Sequence, residues 1–308
     1  MRKRYITPLM IISAIFLLVI VLATLFAGRV APHDPDALDL VNKLSGSSGA
    51  HIFGTDKVGR DIFSRVLYGG RTTMLSALAV VIISVVIGVP LGLITGYYGG
   101  IFDKIITSVW NVILSFPSIL LAFTLMTVVG KGVTAGIIAL GVVYTPMISR
   151  LTRSLTLVEK NKTYVEAERV LGASDTRILY FHILPNCIVT IVAELTLDLA
   201  YAILDLAGLS FLGLGVQPPQ SDWGFMLSDA QQFITTAPLQ AIVPGILIVV
   251  SVVSLNVLST EITDAIESRG KVSNAATSST EKDEKKGIGN FVTRYILHSV
   301  VPQRISNR

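Results

Sequence analysis

The sequence predicts an all-α fold, a polytopic membrane helix bundle of about six transmembrane helices. Two observations carry that expectation. Of the 308 residues, 51% are hydrophobic and only 15% charged, with a mean hydropathy of +0.66, whereas a soluble domain carries about 25% charged residues. Six apolar stretches also reach or approach the roughly 20 residues that cross a bilayer as helix: 6–27, 72–96, 105–129, 132–148, 188–214 and 239–258.

The first stretch follows Arg2, Lys3 and Arg4. Its apolar run of about 22 residues exceeds the 7–15 of a signal-peptide core, so residues 1–27 read as a retained N-terminal helix. Residues 28–71 are mixed in charge and rich in turn formers, an extracytoplasmic segment. The core, 72–269, begins with two long helices joined at Gly96-Tyr97-Tyr98-Gly99-Gly100, which reads as a tight cytoplasmic turn. Pro90, Pro117, Pro146 and Pro244 fall within or at the ends of spans, where membrane helices tolerate them. The fourth span is the shortest. A charged loop, 150–186, separates it from the fifth, and an outer segment at about 215–238 with Pro218, Pro219 and Trp223 leads to the sixth.

From Lys271 the composition turns small, polar and charged, as in a disordered linker. Phe291, Val292, Tyr295, Ile296 and Val300 then recur at helical spacing. The tail 270–308 thus reads either as a linker plus a short amphipathic helix on the inner membrane surface or as an end without function. With the N-terminus inside, 18 of the 25 Lys and Arg fall on the cytoplasmic side and 7 outside. The positive-inside rule therefore places both termini and the 150–186 loop in the cytoplasm. The same rule accounts for the positive balance without nucleic acid. Cys187 is the sole cysteine, which excludes an intrachain disulfide.

The loop has local structure of its own. Glu, Arg and Ala in 164–171 favour helix, and Gly172 is a natural stop. Ser174 or Asp175 can cap a second helix running to a break at Pro185. Tyr164, Ala167 and Leu171 fall on one face, leaving Glu166 and Arg169 to pair or to meet a partner. Two helices joined at a glycine make a stiff knob projecting from the bundle.

This loop resembles the EAA loop of bacterial ABC importer permeases. Glu166, Ala167, Gly172, Leu184 and Pro185 stand at the motif's positions, while Glu168 replaces its second alanine and His182 replaces an isoleucine. A second match is His51-Ile-Phe-Gly-Thr-Asp-Lys-Val-Gly-Arg-Asp-Ile-Phe-Ser-Arg65, with Gly54, Thr55, Asp56, Gly59, Arg60, Asp61 and Arg65 at the signature positions of the C-type permease of peptide and nickel importers. Physics alone reads it as an ordered, charge-paired loop: glycines for turns, and Asp61 to cap the next helix and pair with Arg65 four residues on. Leu209-Ser-Phe-Leu-Gly-Leu-Gly-Val-Gln-Pro-Pro219 with Trp223-Gly224 and Met226 reads as the same family, whereas Ser259-Thr260 and Glu267-Ser268-Arg269 depart from its usual close.

The resemblance implies a type I ABC importer permease fold in a bacterial inner membrane. It implies two ABC ATPase subunits, one of them on the loop, a homologous second permease subunit and an extracytoplasmic solute-binding protein. Tyr164, Glu166, Ala167, Glu168, Arg169, Gly172, Leu184 and Pro185 would couple to the ATPase. The cargo would be short peptides, nickel or a nickel chelate. ATP and magnesium would be bound by the partner subunits, with no cofactor in this chain; no Gly-x-x-x-x-Gly-Lys-Ser/Thr occurs in it.

Glu194, Asp198 and Asp205 of the fifth span are spaced four and seven apart and share a face. Charges at membrane depth usually face a bundle interior or a wet pathway, so they are candidate substrate-pathway residues; the alternative is interfacial placement or pairing with a partner subunit. His33, His51, His182 and His298 look too scattered to form a metal site, and no catalytic constellation appears. A gradient-driven secondary transporter is the main functional alternative, although the inverted repeats common in such proteins are not seen. An intramembrane enzyme would have only the acids of the fifth span to work with.

Overall fold

The computed structural model describes residues 7–265, and residues up to Ile262 pack as one compact unit. The cytoplasmic tail expected at 270–308 lies outside the described residues. Among these residues the secondary structure is helical, with an isolated bridge between Thr55 and Asp61 in place of any strand.

Helix α1 (Pro8–Leu25) starts at Thr7, whose hydroxyl accepts from the Met10 amide, and is followed by the short α2 (Ala27–Val30). Helix α3 (Ile62–Tyr98) runs 37 residues, about 55 Å at 1.5 Å per residue. It begins ten residues before the expected span, because the Asp61 carboxylate caps it by accepting from Ser64 N at 2.8 Å. It ends at Gly99, and α4 (Gly100–Leu114) begins at once. Gly96 is therefore helical rather than part of the turn.

The expected third span is broken. Helix α4 and α5 (Ser118–Val129) meet at 94° across Ser115-Phe116-Pro117. Pro117 provides no amide to continue the ladder and pushes its predecessor out of the helical region. The described residues thus contain five helices long and apolar enough to span, or six if the bent pair is one span.

Helix α6 (Val133–Glu159) is much longer than the expected 132–148. It carries Arg150 and Arg153 as continuous helix. Helix α7 (Thr163–Val170) and the single turn α8 (Asp175–Arg177) make the loop, and a π-type segment, Ile178–Ile183, leads into α9 (Leu184–Phe211). The break expected at Pro185 does not occur. The wider π turn, with Leu184 N bonded five residues back to Leu179 O, accommodates the proline within the first turn of α9. Helix α10 (Trp223–Ala230) and α11 (Leu239–Ala265) complete the chain.

The centre of the bundle is the α3–α6 pair. Gly88, Gly92 and Gly96 sit one turn apart on α3. A methyl group on Gly92 would lie 2.5 Å from Ser149 O and 2.6 Å from Thr152 Cβ, and one on Gly96 would lie 2.7 Å from Thr156 Cβ. Only hydrogen fits there, so the backbones approach closely, as small residues at four-residue spacing permit in membranes. Helix ends also agree across the bundle: Thr7 Oγ1 donates to Glu261 at 2.6 Å, and Gly132 N to Leu214 O at 2.9 Å. The start of α1 and the end of α11 are level, as are the start of α6 and the end of α9. Gly92→Val should lower the amount of folded protein recovered in mild detergent and cost about 1–3 kcal/mol by overpacking. Val86→Ala on the exposed side of the same helix should not, as thermal melts of both variants will show.

Candidate functional site

The loop at 160–183 is built onto the end of the glycine-packed pair. Lys160 reaches back along α3, its Nζ donating to Gly96 O at 2.7 Å and Tyr97 O at 3.2 Å. The ammonium thereby satisfies carbonyls that the helix end leaves open. Tyr97 at that same end donates its hydroxyl to Asp175 at 2.7 Å, and its ring lies under the Arg169 guanidinium at 5.2 Å. Both short helices of the loop are thus tied to one tyrosine.

Helix α7 closes in a Schellman arrangement: Ala173 N bonds to Glu168 O and Gly172 N to Arg169 O, each at 3.0 Å, with Gly172 at φ +82°. Ser174 caps the following turn by accepting from Arg177 N at 3.4 Å. Beneath the loop, Val165, Ile178, Leu179 and Ile183 are buried with Val89, Leu93 and Ile148 in a core distinct from that of the outer bundle. The expected face of Tyr164, Ala167 and Leu171 is divided. Val165 is the anchor and Tyr164 half-buried, while Ala167 and Leu171 point outward, because the short helix is held along one edge only. Arg169 lies on Tyr97 rather than pairing with Glu166, which is exposed.

Tyr164 donates to Glu159 at 2.8 Å, and Lys162 completes that carboxylate at 2.5 Å. Burial, then the Glu159 carboxylate, push the Tyr164 phenol above its ordinary value. It stays protonated at neutral pH, and the contact is lost only as pH climbs past tyrosine's usual value of about 10. The two residues that depart from the EAA pattern face one another: His182 Nε2 lies 3.7 Å from Glu168 Oε2. Leu184 and Pro185 belong to the first turn of α9, outside the knob itself. Among exposed polar residues such as Asp175 and Arg177, the knob presents large apolar side chains outward. Val170, Leu171 and Phe181 are 83%, 80% and 74% exposed, with Glu166 beside them.

Within the bundle, Asp205 accepts from Tyr144 of α6 at 2.9 Å. Asp198 is buried and its Oδ2 lacks a hydrogen-bond partner, while Glu194 is half-buried. Of the three acids, Asp205 is thus tied to α6. An unpartnered buried carboxylate costs stability, so Asp198 is held in place by something other than its own bonding.

At the far end of α3, the motif 51–65 folds into a buried ion network. Asp56 accepts from the amides of Val58 and Arg60 and pairs with Arg60 Nε at 2.6 Å. Arg65 pairs with Asp56 at 3.7 Å and Asp36 at 3.5 Å rather than with Asp61. Its guanidinium is drawn away because Asp61 is occupied by the helix cap. Arg60 and Lys57 reach Asp229 of α10, at 3.8 Å and 2.5 Å. Thr55 donates to Asn42 O and accepts from Ser45 N, and Gly54 and Gly59 make the turns at φ +81° and +84°. Two of the histidines are not scattered as the sequence suggested: the rings of His33 and His51 lie 4.8 Å apart beside Asp61, while His182 stands in the knob and His298 lies outside the described residues.

A multi-helix bundle with five or six helices apolar enough to span, polar side chains inside it and a helical knob at one end defines a polytopic membrane protein. Residues 88–272 match the family model of the binding-protein-dependent transport system inner membrane component, and the chain belongs to that family. It is 38% identical over 268 residues to the di/tripeptide transport system permease protein DppC of Pseudomonas aeruginosa, covering 85% of this chain and 88% of that protein. It is 39% identical to the glutathione transport system permease protein GsiD of Escherichia coli O6:K15:H31, with 84% and 86% covered. A chain of the inward-facing MetNI methionine ABC transporter superposes with a TM-score of 0.55 at 22% identity, over 67% of this chain and 97% of that one. The expected ABC importer permease fold is therefore met, and the gradient-driven alternative falls to the family assignment.

The Tyr164 hydroxyl links α7 to Glu159, so Tyr164→Phe should cost about 1 kcal/mol, the typical net worth of one such bond. Limited proteolysis of the loop should accelerate in that variant while the bundle's protease-resistant core is unchanged.

Proposed function

We propose that this chain is one permease of a pair that imports short peptides, driven through the 160–183 knob by an ABC ATPase subunit. The observation that carries the reading is the contrast within the knob, whose base is sealed into a core and tied to Tyr97 and Lys160 while its tip leaves three large apolar side chains in the open. A rigid base transmits displacement, and an exposed apolar tip of this kind marks a docking surface. The tip fits a groove in a cytosolic subunit that binds ATP and magnesium, consistent with the lack of a P-loop in this chain.

The positive-inside distribution supports cytoplasmic termini, and the Thr7–Glu261 contact supports the start of α1 and the end of α11 lying on one side. The ion network around Asp56 would face the solute-binding protein. The long, largely exposed α4–α5 pair would face the second permease or lipid. Nucleotide-driven movement of the knob would switch access across the membrane by tilting α3 and α6 together.

Short peptides are favoured as cargo because the relatives described above carry peptide names; nickel draws no support from them. Asp198 suits a pathway that receives the amino terminus of such a peptide, its unpartnered oxygen offering a place for a cation.

Leu171→Asp should leave the permease inserted but reduce co-purification of the ATPase at least about tenfold, as should the double replacement of Glu166 and Gly172 by alanine for uptake. Persistence of both uptake and permease-stimulated ATP hydrolysis in the double variant would refute the coupling role. Asp198→Asn keeps the side chain's shape and breaks no hydrogen bond to Oδ2, so a thermal melt should show the bundle still folded. Peptide uptake should fall at least about tenfold in the same variant; unchanged uptake in proteoliposomes would remove Asp198 from the pathway.

A further inference from the structure

We propose that His33, His51 and Asp61 form a binding site for a divalent first-row transition ion, with zinc(II) the best fit. The three residues come from separate places: His33 just beyond α2, His51 in the outer loop, and Asp61 at the cap of α3. Their ligand atoms all lie within 4.8 Å of one another. His51 Nδ1 stands 3.0 Å from Asp61 Oδ1, and His33 Nδ1 3.9 Å from Asp61 Oδ2. Zinc bonds of about 2.0–2.1 Å in tetrahedral geometry separate ligand atoms by about 3.3 Å. The His51–Asp61 pair, now at hydrogen-bond distance, would open by only about 0.3 Å to reach that spacing. The His33 side chain is 40% exposed, free to close the remainder.

Charge points the same way. Asp61 is 2% exposed, yet the nearby arginines are committed elsewhere, Arg60 to Asp56 and Asp229 and Arg65 to Asp56 and Asp36. Among the described residues its ion-pair partners are the two imidazoles alone. A buried carboxylate whose ion-pair partners are two imidazoles gains a full counter-charge from a bound cation.

The ligands are also held. Ser64, itself fully buried, donates to Asp61 Oδ2 at 2.7 Å and accepts from the His33 backbone amide at 3.2 Å. Such outer contacts fix ligands in established metal sites. Two imidazoles and a carboxylate suit zinc over magnesium or calcium, and leave a fourth position open. Bound there, the ion would clasp the segment at 33 and the loop at 51 onto the head of α3, so that order in the outer loop depends on metal.

The test uses the full chain, purified in detergent with its partner subunits, stripped with chelator and titrated with zinc against a chromophoric competitor. Wild type should retain one zinc per chain, and its melting temperature should rise on zinc addition. His33→Ala and His51→Ala should each weaken retention more than about tenfold, since loss of an outer-shell partner alone costs 10–100-fold. Asp61→Asn, which preserves the acceptor for Ser64, should do the same. Cobalt(II) in place of zinc should give visible d–d bands in wild type that the His51 variant lacks. Wild type holding no more zinc than the His33→Ala/His51→Ala double variant overturns the site, as does retention unchanged in each single variant. Unaltered elution of the His33 variant on size exclusion would show that its loss of zinc is not loss of fold.

Discussion

The close approach of α3 and α6 is the constraint on which the rest of this molecule depends. Without side chains on Gly88, Gly92 and Gly96, the two backbones come near enough for Lys160 to reach the carbonyls at the end of α3. That contact sets where α6 stops and the knob begins. The tyrosine at the same helix end then holds both halves of the knob. A membrane offers no hydrophobic drive for helices to associate, so interlocking surfaces and polar ties bear the load. Here both lie on the line that runs from bundle centre to loop.

The two ends of α3 are built on different physics. At the loop end, a compact apolar core beneath α7 gives stiffness, and the polar ties are few and specific. At the other end, Asp56, Arg60, Arg65 and Asp229 form a network in which each arginine touches two carboxylates. Buried pairs of that kind add little net stability but penalise every alternative arrangement in which a charge is left alone. The first end is stiffened by packing, and the second holds one conformation of the segment that precedes α3.

Much of this was legible in the sequence. Apolar runs located the spans, Gly172 the corner of the knob, and Asp61 the cap of α3, because each is a local property of composition or turn chemistry. What escaped was set by contacts distant in sequence. The bend at Pro117 could be read as a tolerated proline until α4 and α5 were seen at 94°. Pro185 looked like a stop, yet a π turn absorbed it. The four-residue spacing of glycines in α3 was available as a packing signal. By contrast, no pattern in the chain announces that His33 meets Asp61, or that Arg65 forsakes Asp61 for Asp56 and Asp36.

The juxtaposition of Glu168 and His182 has a consequence for hybrid proteins. These residues come from opposite arms of the hairpin, and each differs from the usual family residue. An exchange of only one arm with a relative bearing alanine and isoleucine would set an acid against an aliphatic side chain, or an imidazole against a methyl group. Transplanting this hairpin between systems therefore requires both arms to travel as a single cassette.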